Sequence, residues 1–417
     1  MTQAVHLRDA AWLNGGAVAR LLSLLDRDGE QARAVGGAVR NALLHLPVEE
    51  IDVATTAIPE EVIRRVEAAG CKAIPTGIEH GTVTVVVDGQ PVEVTTLRED
   101  VETFGRKARV AFGRDWKADA GRRDFTINAL SAARDGTVYD YVGGFADIAA
   151  RRVRFIGEPG KRIEEDYLRI LRFFRFHAQF SAGAPDAAGL IACIKARAGL
   201  ATLSRERVRI EILKLLLAAH ATPTLAVMAE AGLLGEVLGG VPRLASFENM
   251  MKVEEAAGAA GDAVRRLGAL AVWVAEDAER LTERLRLANI ESERLLALDP
   301  WWRIAPAADE RTARSLLYRL GPQSFADRVL IAWARSAAGA ADRRWRELAT
   351  LPQRWALPTF PLKAADFMHR GLTAGPQLGE AMRAAEAAWA AADFPAERAA
   401  IEAIADSVAR QTTEAAG

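Results

Sequence analysis

Cysteine is scarce: the chain's 417 residues include two, Cys71 and Cys193, far apart. That excludes a disulfide framework and a cysteine-based zinc site, and makes a reducing compartment, the cytoplasm, the default expectation. The six histidines are scattered, with no H-E-x-x-H pattern and no adjacent His-Asp pair, so a zinc hydrolase or an appended His-Asp phosphohydrolase lacks its ligands. There is no uninterrupted apolar run of about 18 residues, so no membrane span is expected. The first 30 residues carry charges throughout, unlike the basic-then-apolar layout of a signal peptide. Neither sign of charge dominates. Lys+Arg number 54 against 55 Asp+Glu, net −1, which excludes a uniformly basic nucleic-acid coat. Gly157-Glu158-Pro159-Gly160-Lys161-Arg162 lacks the spacing and the following Ser/Thr of a P-loop.

The length predicts two to four domains, and a half-hydrophobic composition predicts ordinary globular folding. Residues 1–150 read as α/β. An amphipathic helix over 17–27 precedes a turn at Gly36-Gly37, a β-rich run follows at 51–56, and a helix over 60–69 ends at Gly70. Asp88-Gly89 between Thr82–Val87 and Gln90–Leu97 signals a hairpin with a type I′ turn. Residues 98–121 show no strong period and read as a long mobile loop. Beyond residue 160 the strand signal nearly vanishes. Residues 162–180 and 204–219 read as helices, the second with Ser204 as N-cap. Basic charge is local: residues 98–123 net +3 and residues 151–175 net +4, leaving −8 for the rest. Two basic segments in an acidic chain suit a polyanion site, or else are solvated faces.

Several short patterns carry chemistry. Gly36 and Gly37 before a helix let backbone N–H groups approach a phosphate, and Arg40 lies one turn on. Glu50 and Asp52 point to one side of a strand and together suit a hard cation such as Mg²⁺; the plainer reading is two exposed acids. Glu93 becomes a third carboxylate if its strand lies beside 51–55. Arg122, Arg123 and Asp124 suit a triphosphate and a ribose, or else Asp124 caps a helix. Asp166 and Arg169, three apart, form either a helical salt bridge or a base reader. An aspartate accepts from an exocyclic amine and an arginine donates to a ring nitrogen, a pattern that cytosine and adenine share and uracil and guanine reverse. The tryptophans of the second half read as helix packing, and His80 as a turn residue.

The order of these pieces is more telling than any one of them. Val35-Gly36-Gly37-Ala38-Val39-Arg40, Glu50-Ile51-Asp52, Glu93-Val94-Thr95-Thr96-Leu97-Arg98, Arg122-Arg123-Asp124-Phe125-Thr126-Ile127-Asn128-Ala129-Leu130 and Glu165-Asp166 with Arg169 and Arg172 follow one another. This resembles the class II tRNA nucleotidyltransferases, the CCA-adding enzymes and their bacterial poly(A) polymerase relatives. The likeness is dense over 34–219 and looser from Phe360 to Phe394.

The resemblance implies an α+β nucleotidyltransferase head of the polymerase-beta-like kind, a small mixed sheet with helices, followed by an all-α neck, body and tail. The implied boundaries are 1–150, 151–220, 221–330 and 331–417. It implies template-independent addition of C, C and A to tRNA from CTP and ATP, with two Mg²⁺ ions on Glu50, Asp52 and Glu93. Gly36, Gly37, Arg40 and Arg123 would hold the triphosphate, with Asp124 at the ribose. Asp166 and Arg169 would read the base, with Asn128, Arg172 and Arg175 completing the nucleotide site. The helical arm would hold the acceptor stem of tRNA by backbone and shape. The alternatives are a poly(A) polymerase, a CC- or A-only enzyme, and a tRNA-binding protein with weak catalysis. Two departures stand out: the family's first acid is normally Asp where this chain has Glu50, and its loop often reads Thr-Asp-Gly-Arg-His where this chain has Thr103-Phe104-Gly105-Arg106-Lys107. The oligomeric state is left open.

Overall fold

A computed structural model describes residues 6–104, 107–181, 183–305 and 309–414, without the side chains of 99–111. The chain forms two compact units, Met1–Glu236 and Val237–Gly417.

All described strands lie in the first unit, which is the α+β head expected, followed by helices only. A seven-stranded mixed sheet has the order β3-β4-β5-β2-β1-β8-β9, from β1 (Ala32–Val35), β2 (Asp52–Thr55), β3 (Lys72–Gly77), β4 (Thr82–Val87), β5 (Gln90–Thr96), β8 (Ser131–Ala132) and β9 (Val138–Tyr139). The β4–β5 turn is as expected: Asp88 and Gly89 both have positive φ, 51° and 79°. Period-2 alternation buries Val83, Val85, Val92 and Val94 on one face. There they meet Leu21, Leu22 and Leu25 of the Gly16–Leu25 helix and Val62 and Val66 of the Pro59–Ala68 helix.

Residues 98–121 are not a loop. β6 (Arg98–Phe104) and β7 (Lys107–Phe112) pair as a separate antiparallel hairpin, and Trp116–Arg122 is a helix capped by Asp115. The alternation there is too charged to show a period. Gly105 and Arg106 lie outside the described residues, as do the side chains of Thr103, Phe104 and Lys107. The 162–180 helix is two helices, Pro159–Glu165 and Leu168–Phe180, broken at Asp166-Tyr167 where Asp166 is extended. Ser204 does precede the Arg205–Leu216 helix, without a side-chain capping bond.

The second unit is helical throughout its described residues. Its tryptophans pack as expected: Trp333 is fully buried, and Trp273 and Trp301 meet edge to face. A buried ionic network joins Asp327 to Arg265 and Arg294, and Glu254 to Arg265 and Arg266.

Candidate active site

β2 and β5 pair in parallel, Val53 opposite Val94, which sets Asp52 beside Glu93 on the face away from the valine core. Desolvation pushes the Asp52 carboxyl above its usual value; Arg123 opposes this and Glu50 adds to it. Desolvation also raises Glu93, and the charge of Asp52 raises it further. The three acids thus share a neighbourhood. Among the described residues no three of them close on one point as a finished cation cage. Their chemistry still fits a divalent ion, because hard oxygen donors of like charge gain most from one.

Beside them β1 ends at Gly36, whose φ of 70° suits glycine, and the Gly37–Leu43 helix begins. A Cβ at Gly36 would lie 3.1 Å from Arg123 Nη1, so the turn and that arginine meet closely. Arg122 is held by Asp119, 2.5 Å away, which also reaches Arg123 at 3.5 Å. Arg40 is buried and lies over the Phe180 ring at 4.1 Å. Its guanidinium donates to Asn128 Oδ1 and to Asn41 Oδ1. Burial pulls it down to about 10; Arg175 and Arg172 push the same way and Asp124 opposes.

Asn128 sits in a short turn, Thr126–Asn128, and passes the connection on: its Nδ2 donates to Asp124 at 3.2 Å. Asp124 is not a helix cap. It accepts from Phe125 N at 2.9 Å and from Arg172 Nε and Nη2 at 2.7 and 2.6 Å. Asp124, with Glu211 and Asp166, outweighs burial and raises the Arg172 guanidinium. Arg175 donates to Glu211 at 2.5 Å and covers Phe176 at 4.0 Å. Gly36, Gly37, Arg40, Arg123, Asp124, Asn128, Arg172 and Arg175 are therefore one connected group.

Asp166 and Arg169 do not pair with each other as helical neighbours. The helix break separates them. Asp166 accepts from Leu168 N at 3.0 Å and pairs with Arg207 at 2.6 Å. Arg169 donates to Glu165 and to the Arg162 carbonyl. Asp166 stands next to the group, since it acts electrostatically on Arg172.

The sequence reading missed three residues. Glu211 falls within an apolar stripe of its helix, among Val208, Ile212 and Leu215; an acid there signals a buried partner. Arg207 lies one turn before it. Asp147 is fully buried and takes Thr126 Oγ1, Arg152 and Arg154, which fixes the turn bearing Asn128. Arg152 and Arg154 therefore belong to the fold, and Arg162 donates to the carbonyls of Arg122 and Arg123. The basic count over 151–175 overstated the charge open to a polyanion.

Residues 32–154 match the family model described as the poly A polymerase head domain. Residues 189–247 match the one described as the probable RNA and SrmB-binding site of polymerase A. The CCA tRNA nucleotidyltransferase 1, mitochondrial, of Danio rerio is 34% identical over 374 residues, covering 88% of this chain and 85% of that protein. The chain belongs to the CCA-adding tRNA nucleotidyltransferase family. The CCA-adding enzyme of Limosilactobacillus fermentum is 32% identical over 378 residues, 87% of this chain and 89% of that one. The crystal structure of the Bacillus stearothermophilus CCA-adding enzyme in complex with CTP superposes with a TM-score of 0.75 at 29% identity, covering 95% of this chain and 98% of that one. This CCA-adding family member is thus a nucleotidyltransferase, and such enzymes use divalent metal ions. Among its described residues no helix is long and apolar enough to cross a membrane.

Proposed function

We propose that this protein adds C, C and A to the 3′ end of tRNA from CTP and ATP, releasing pyrophosphate. The observation that carries the reading is the connected group from Gly36 to Arg175 beside Asp52 and Glu93. Cationic and carboxylate halves adjoin, as transfer of a nucleotidyl group requires.

In this reading Glu50, Asp52 and Glu93 hold Mg²⁺, two ions in all. The metal supplies activation of the RNA 3′-hydroxyl and charge stabilisation at the α-phosphate and the leaving pyrophosphate. The Gly36-Gly37 turn offers backbone N–H groups to the triphosphate, and Arg40 and Arg123 add fixed positive charge. Asn128 holds Arg40 and Asp124 in register. Asp124 accepts from the ribose. Asp166 and Arg169 read the amine and ring nitrogen that cytosine and adenine share, exchanging their present partners Arg207 and Glu165 for the base. Arg172 and Arg175 hold that pocket through Asp124 and Glu211. The helical arm binds the tRNA acceptor stem. We place the protein in the cytoplasm, a reading supported by two buried, unpaired thiols.

The test is extension of labelled tRNA ending at the discriminator base, at C and at CC, with Mg²⁺ and CTP, ATP, both, or UTP plus GTP. The expected product is a CCA end and then a stop. A long A ladder would make the protein a poly(A) polymerase, and a stop at CC or after a lone A a partial adder. Tight binding without extension would leave a tRNA-binding protein.

A further inference from the structure

The second unit contains a cavity of about 440 Å³ that no family model covers. Its lining includes Arg303, Arg311, Arg319 and Arg328, with Thr312 and Ser315. Arg311, Ser315 and Arg319 recur every four residues on one face of the Glu310–Arg335 helix. Arg328 is nine residues past Arg319, which a straight helix would turn to the opposite side. The helix is broken between them. Gly321 has φ 74° and ψ 164°, and Pro322 follows, so both arginines line one cavity.

The four positive charges of this cavity are only partly balanced by nearby acids. Arg328 is nearly buried and donates to the Ala297 carbonyl, with Arg319 and Asp299 both acting on it electrostatically. Arg311 donates to the Ala391 carbonyl. Of the other nearby acids, Glu310 and Asp393 are engaged by Arg314, and Asp309, which accepts from Thr312 N, acts electrostatically on Arg311. Among the described residues neither Arg303 nor Arg319 forms an ion pair, and residues 306–308 carry no ionisable side chain. No aromatic ring lines the cavity, so it offers no stacking surface for a base. Planar guanidinium forks without a base platform match one chemistry, a phosphate.

The geometry points to a phosphate-binding site in the second unit, formed by Arg303, Arg311, Arg319 and Arg328, that takes a backbone phosphodiester of the RNA substrate. This rests on RNA being the substrate, which the extension assay tests separately with the unaltered protein. A phosphate contact positions the RNA without reading its sequence.

The experiment measures the Kd of the full-length protein for a labelled tRNA transcript across ~50–200 mM salt. The variants are Arg303→Gln with Arg319→Gln, and the charge-keeping Arg303→Lys with Arg319→Lys. The glutamine pair is expected to weaken binding about 10-fold at ~0.1 M salt and to lower the slope of log Kd against log salt by about 1 to 2. The lysine pair is expected to keep most of the slope. Neither pair alters the KM for CTP or the rate at saturating tRNA. An unchanged Kd and slope overturns the proposal. So does a glutamine pair that binds tRNA normally but loses affinity for inorganic phosphate, which would make the cavity a site for a free anion. Equal loss of melting temperature in both pairs would mark the arginines as structural and overturn it too. Failure of the unaltered protein to extend tRNA would sink the underlying reading while leaving this slope measurable.

Discussion

At Asp52 and Glu93, function and folding pull in opposite directions. Both carboxyls are raised. A raised carboxyl contributes stability that is complete below its unfolded value, about 4, and is lost as pH rises through the folded value. The metal-free protein therefore loses that contribution as pH rises. Asp52→Asn should raise the melting temperature at pH 7 in EDTA while cutting nucleotide addition at least ~100-fold. A melting temperature that falls would contradict this account. Acidification through the raised values should likewise release bound metal before it unfolds the head. Glu50→Asp tests the unusual first acid: little change in rate means the longer side chain reaches, and a gain of orders of magnitude means it does not. Most of these residues were legible because each is a polar exception in an apolar setting. Glu211 and Arg207 were not, because their significance lies in partners about 35 to 40 residues away.

At the scale of elements, the break at Asp166-Tyr167 shapes the corner that carries Asp166 and Arg169, and packing maintains it. A Cβ on Gly199 would fall 2.0 Å from the Tyr167 ring, so no other residue fits there without moving Tyr167. Gly199→Ala should cost about 1–3 kcal/mol and raise the KM for CTP and ATP together; thermal melts and steady-state kinetics check both. The Trp116–Arg122 helix, which leads into Arg123, is fastened in a similar way. Arg33 is buried between Trp116 and Tyr139, 4.1 and 3.8 Å from their ring centres, and donates to Tyr141 Oη and Gln31 Oε1. Arg33→Met should cost about 2–3 kcal/mol and lower kcat/KM for both nucleotides, with KM carrying the change. Neither fastening was visible in the sequence. Periodicity shows which face of an element is apolar, but not which neighbour fills it. The β6–β7 hairpin escaped for a related reason: its strands carry charge where a buried strand would alternate. The β4–β5 hairpin was plain because Asp-Gly demands a particular backbone.

At the scale of the molecule, the split between an α/β first part and a helical second part was legible from composition alone. The ionic core of the second part was not, since charged residues read as surface. Asp327 is 1% exposed and accepts from Arg265, Arg294 and Gln323. Asp327→Ala leaves a buried guanidinium, Arg265, and a half-buried one, Arg294, each short of a partner and should cost about 3–5 kcal/mol. Seven of the nine tryptophans lie in the second unit, so tryptophan fluorescence should report that loss as an earlier transition.

The last strand of the seven-stranded sheet ends at Tyr139, with about two thirds of this chain still to follow. Ribosomes add roughly 5–20 residues per second, and domains generally fold as they emerge. Every strand of the sheet has thus been made while the helical second unit is not yet translated. Its interior strand β1 must wait for β8 before both its edges are covered. The nascent chain consequently passes through an interval with an open sheet edge, closed by residues 131–132 rather than by anything in the arm. A ribosome paused before that point would hold the chain with the edge of β1 open to other strands, and one paused after it would carry a sheet with β1 already covered.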